Sequence, residues 1–140
     1  MESTIWAKAH GATTHFPLAL AVCSVACDAA GFALARKPVG HELRAAGYWT
    51  MIFGAMGTVP AVLSGLLMTQ GTVMGHDALR LHHLFVWPAF ALLIALGTWR
   101  LVQGRQAPPR ALAAYLVLAG VAAGLMTAAA YWGGEMMIAR

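Results

Sequence analysis

The chain has 140 residues, 60% of them hydrophobic and 10% charged, with a formal net charge of +4. Soluble domains average about 25% charged residues, and nine Lys/Arg with five Asp/Glu do not furnish the polar shell of a soluble globule this size. The basic residues stand in short clusters between apolar runs and form no stripe along a helix face, which excludes nucleic acid as the main partner.

Crossing the hydrocarbon layer as a helix takes about 20 mainly apolar residues, and four stretches reach or approach that length. The first, 16–35, contains a single charge, Asp28, and the second, 45–68, contains none. The third, 81–99, opens on His82 and His83, and the fourth, 111–132, is uncharged. None shows the strict alternation of a membrane strand, and all are rich in the helix formers Ala and Leu. The expected fold is an all-α four-helix transmembrane bundle forming one integral membrane domain over 1–140. At the first span, Thr14 is placed to cap the helix and Pro17 to sit in its first turn. The segments 36–40, 71–77 and 103–110 read as turns, too short to divide domains. Trp49, Trp99 and Trp132 fall at span ends, where amphipathic rings favour the headgroup layer. The opening Met-Glu-Ser-Thr lacks the positive region of a cleaved signal, so the first span is expected to be retained.

Four spans put both termini and the middle loop on one side, with Lys8, Arg80 and Arg140. The other side holds Arg36, Lys37, Arg44, Arg100, Arg105 and Arg110. The excess of cations faces the cytoplasm, so both termini are expected on the periplasmic side of a bacterial inner membrane. Of the histidines, His10, His15, His76, His82 and His83 then fall on the outer side and only His41 on the inner.

That asymmetry is the main functional signal. Neutral imidazole ligates haem iron, zinc and copper, and helical bundles build cofactor sites from facing helices. His15 and His82, at the mouths of the first and third spans, are the expected pair of iron ligands for one haem b. His83 is the alternative to His82, since neighbouring helix residues point about 100° apart, and Arg80 is placed to pair with a propionate. No Cys-x-x-Cys-His is present to anchor a covalent haem. The plain alternative is that histidines simply suit the half-wet interface.

Three motifs together, His15-Phe16-Pro17-Leu18-Ala19-Leu20, Asp28 and Tyr131-Trp132-Gly133-Gly134-Glu135-Met136, resemble a family of small bacterial membrane proteins called domain of unknown function family 2231. The resemblance covers nearly the whole chain and implies four membrane helices. Members of that family also occur joined to cytochrome c domains, which implies a redox role with His15 and a third-helix histidine as ligands. Where related chains continue with a Tyr-Arg-His-Gly-like stretch, this one has Met136-Met137-Ile138-Ala139-Arg140.

Asp28, midway along its span, must face protein or water. It is a candidate for proton transfer or for a hydrogen bond to a facing hydroxyl such as Ser64. Glu135, behind the Gly133-Gly134 pair, is a candidate to orient a ligand histidine or to act as a metal ligand. Cys23 and Cys27 share a helix face and are expected to be small buried side chains. The Gly120 and Gly124 pair is expected to permit close helix packing. The leading expectation is a membrane electron-transfer subunit passing electrons between quinol and a periplasmic redox partner, with no catalytic residue of its own, within a respiratory oxidoreductase. The lipid-side walls around Trp87, Pro88 and Phe90 are the expected surface for a quinone. The alternative is a cofactor-free accessory subunit of a larger membrane complex. A metal site built from His15, His82, His83 and Glu135 is a third reading.

Overall fold

A computed structural model describes residues 2–105 and 107–138. Four helices follow one another: α1 (Glu2–Ala33), α2 (Pro38–Met68), α3 (Asp77–Gln103) and α4 (Pro109–Ile138). Each contains a segment long and apolar enough to cross a membrane. The protein is an all-α four-helix transmembrane bundle.

All four helices outrun the spans expected from hydropathy, α1 most of all. It begins at Glu2 rather than near Phe16, because hydropathy marks the stretch that crosses lipid whereas Ala-rich polar turns remain good helix. At 32 residues α1 is about 48 Å long, well beyond a hydrocarbon core of about 30 Å. Thr14 is therefore no cap: it lies mid-helix and its Oγ1 donates to the Gly11 carbonyl. Pro17 is likewise interior to α1. Trp49 lies well inside α2, stacked on Phe53, and does not mark that helix's start.

The helices alternate in direction, so the start of α1, the end of α2, the start of α3 and the end of α4 share one end of the bundle. There His10 lies against Gly65 and His82 against Gly133. At the opposite end Arg44 packs on Gly31 and bonds the Ala107 carbonyl. Arg36, Lys37, Arg44, Arg100, Arg105 and Arg110 all belong to that second end. Arg140, counted with the outer cations, lies outside the described residues.

Successive helices are neighbours and α1 closes the ring against α4. Packing is closest within the hairpins α1–α2 and α3–α4. The hairpins repeat one register. Buried Pro17, Ala21, Ser24 and Asp28 on α1 correspond at one constant separation of 72 positions to buried Ala89, Leu93, Leu96 and Arg100 on α3. Buried Gly47, Met51, Gly54 and Ala61 on α2 correspond, at a second constant separation, to Tyr115, Ala119, Ala122 and Ala129 on α4. At these positions the two hairpins repeat one buried register, although most of the residue types differ.

Gly120 and Gly124 do not serve packing inside the chain. Both are exposed, with nothing within 4 Å of where a Cβ would stand. Cys23 is exposed and Cys27 partly so, correcting the expectation of burial; both are free, with sulfurs 3.9 Å apart.

Candidate functional site

Two polar constructions lie inside the bundle, one toward each end. Toward the Arg-rich end is an ion pair: Arg100 Nη2 donates to Asp28 Oδ1 at 3.0 Å, both side chains 0% exposed. The same nitrogen reaches the Arg44 carbonyl at 3.2 Å. The guanidinium carbon stands 5.5 Å from the Tyr48 ring centre and 5.0 Å from that of Tyr115. Ser24 Oγ donates to the Gly47 carbonyl at 2.8 Å and lies 3.1 Å from the Tyr115 hydroxyl, which is placed to donate to it. Gly47 is required here, because a Cβ would stand 2.5 Å from the Asp28 carboxyl carbon. Asp28 thus faces Arg100, not Ser64. The Ser64 hydroxyl is engaged toward the opposite end, with the Ala61 carbonyl, His10 and Thr13. Arg100, counted from the sequence among the inner-side cations just past the third span, is a fully buried residue of α3.

Toward the other end a cleft of about 610 Å³ opens among all four helices. Its wall is mainly apolar, with Leu93, Phe90 and Met126 among its residues, and His10, His15, His82 and His83 line it. Trp87 also lines it and is held by a bond from its indole nitrogen to the Val73 carbonyl at 2.8 Å. Pro88, Arg80 and Glu135 are not among the lining residues, and Pro88 and Arg80 are exposed.

Within the cleft His82 is paired with His10. Their ring centres are 6.4 Å apart and their planes cross at 81°. His10 Nδ1 bonds the Ala61 carbonyl at 2.9 Å and His82 Nδ1 bonds the Ala129 carbonyl at 2.8 Å. A carbonyl only accepts, so each Nδ1 carries the proton in these bonds and each Nε2 keeps its lone pair free. Neither Nε2 has a hydrogen-bond partner among the described residues. A carbonyl on one ring nitrogen and an open lone pair on the other is the arrangement that orients metal-ligating histidine. His83 is 6% exposed, its Nδ1 has no partner among the described residues, and its ring lies 5.7 Å from that of His82. His15 is exposed and borders the cleft. No three His, Cys, Asp or Glu side chains converge as a metal-binding group among the described residues.

His15, His82 and His83, the candidate ligands named from the sequence, all line this cleft, whereas sequence reasoning gave His10 no ligand role. His10 precedes the apolar stretch of α1, and only the extension of the helix to Glu2 carries it onto the end of α2. The signal that could have found it is spacing: His10 stands as far before His82 as Asp28 does before Arg100.

Residues 8–139 match the profile of the family described as predicted membrane protein, DUF2231. The chain belongs to this family. No curated protein and no solved structure matches it. Nearly the whole of the DUF2231 chain is covered, so both polar constructions fall within the matched region. Of the motifs that carried the resemblance, His15 and Pro17 line the cleft, Asp28 forms the ion pair and Gly133 lies against His82.

Proposed function

We propose that this DUF2231 protein is a membrane electron carrier that holds one haem b between His10 and His82. The observation that carries the reading is the facing pair of imidazoles, each anchored through Nδ1 to a helix carbonyl. The residues fit the group. Two imidazoles sharing a metal through bonds of about 2 Å place their ring centres roughly 6 Å apart, against 6.4 Å here. The cleft is within the range of cofactor pockets, and its apolar wall suits a macrocycle. His10 takes the role that sequence gave to His15, and His82 is preferred to His83 because its Nδ1 is already engaged.

A bound haem supplies a one-electron couple, and two neutral imidazole ligands with an apolar surround are the protein's means of setting its potential. His10 and His82 orient their lone pairs, the cleft wall excludes water, and the exposed Arg80, which follows the lining residue Leu79 in sequence, would offer a counter-charge to a carboxylate. Trp87 and Phe90 offer the flat apolar surface against which a quinone ring would rest. The chemistry the bound group would supply is one-electron transfer between quinol and an extracytoplasmic partner, within a larger oxidoreductase.

The orientation follows from charge: the Arg-rich end faces the cytoplasm and the cleft opens toward the periplasm of a bacterial inner membrane. On a Cys23→Ser, Cys27→Ser background, Gln70→Cys is expected to react with an impermeant maleimide in intact spheroplasts, and Lys37→Cys only after lysis. The reverse pattern overturns the orientation.

The haem itself is tested by a reduced-minus-oxidised visible spectrum of detergent-purified protein expressed with haem precursor. Narrow low-spin b-type bands are expected. A folded, colourless protein would refute the reading and would favour the second one, a cofactor-free subunit packing through the outward-facing Gly120 and Gly124 against a larger complex.

A further inference from the structure

The two imidazoles are seated alike. His10, from the first hairpin, bonds the carbonyl of Ala61 and lies over Gly65, one turn further along α2. His82, from the second, bonds the carbonyl of Ala129 and lies over Gly133, one turn further along α4. The separations that relate these residues are those that relate the buried registers of the two hairpins. A Cβ on Gly65 would stand 2.9 Å from His10 Cε1 and 3.2 Å from its Nδ1. A Cβ on Gly133 would stand 3.4 Å from His82 Nδ1 and 3.6 Å from its Cε1, an ordinary contact.

We infer that Gly65 is a positioning residue for His10, that each hairpin contributes one half of the cleft's ligand site, and that Gly133, its counterpart in the second hairpin, leaves room for a methyl beside His82. The inference rests on the haem reading for its main readout but not for its geometry. In a helix glycine is a poor residue, so its presence close under the His10 ring needs a packing reason. At Gly65 that reason is the imidazole: an added methyl must push His10 off the Ala61 carbonyl or away from His82. At Gly133 a methyl fits against the His82 ring without displacing it.

The test compares Gly65→Ala, Gly133→Ala and Gly120→Ala, the last at a position with open space. Mutating a residue that orients a metal ligand typically costs 10–100-fold in affinity, so Gly65→Ala is expected to weaken haem retention by about tenfold or more, with part of the ferric spectrum turning high-spin and the midpoint potential displaced. Gly133→Ala is expected to change retention by less than about threefold, with the spectrum low-spin, and Gly120→Ala to match the wild type. Thermal unfolding separates seating from folding, since alanine at all three positions raises helix propensity. A Gly65→Ala protein with unchanged spectrum, potential and haem retention overturns the inference. Should the wild type hold no haem, the haem reading has failed and the seat is read directly by histidine ¹⁵N NMR. Loss of the hydrogen-bonded His10 Nδ1–H signal in Gly65→Ala alone then supports the seat, and its persistence overturns it.

Discussion

Asp28→Ala is expected to destabilise the bundle by about 3–5 kcal/mol, the range for breaking a buried ion pair by removing one partner. The large value comes from what remains: the Arg100 cation, 0% exposed, would lose its carboxylate in a setting where water cannot replace it. Two tyrosine rings and one carbonyl would be its remaining company. Arg100→Met is expected to be harmful as well, since it strands Asp28. The double variant Asp28→Leu with Arg100→Met is expected to recover much of the loss, because the cost is that of an unpaired charge rather than of the missing pair. Thermal unfolding in one detergent checks all three, and additive losses in the double variant would show that the two residues act separately. Because the pair joins α1 to α3, one helix from each hairpin, it also holds together the halves that the cleft requires.

His10→Ala is expected to have the largest effect on the cofactor, removing nearly all low-spin haem, with His82→Ala alike. His15→Ala is expected to keep most of it. The difference is geometric. His10 is anchored at 2.9 Å to a helix carbonyl and faces His82, whereas His15 is exposed. Added free imidazole is expected to restore low-spin bands to His10→Ala, since the cleft left by the side chain admits a ligand of the same chemistry. Haem content and visible spectra check the set, and full loss in His15→Ala beside an intact His10→Ala would transfer the ligand role to His15.

Much of this molecule is legible in its sequence. Four apolar stretches of membrane length, separated by short turns rich in Gly and Pro, define the helices, and all the histidines but His41 gather at the end opposite most arginines. Helix ends are less legible, because hydropathy reports lipid contact while the chain stays helical beyond it, as from Glu2 to His15. That extension hid His10. The partner of Asp28 was hidden by a different effect. Arg100 reads as a loop cation at the end of an apolar stretch, and only the register between α1 and α3 brings it inward. The repeat itself escapes inspection because most of the corresponding buried positions differ in chemistry, as when Ser24 answers to Leu96 and Asp28 to Arg100, and only a few pairs such as His10 with His82 match.

The central claim, one haem held by imidazoles from both hairpins, is tested most directly by electron paramagnetic resonance of the ferric protein. Two imidazole ligands whose ring planes cross near a right angle would make a bound low-spin ferric haem strongly anisotropic. The 81° between the His10 and His82 rings therefore predicts a strongly anisotropic low-spin signal with a large maximum g value. That signal is expected in the wild type and absent from His10→Ala and His82→Ala. A high-spin axial signal in the wild type, or a low-spin signal that survives in His10→Ala without added imidazole, would contradict the account.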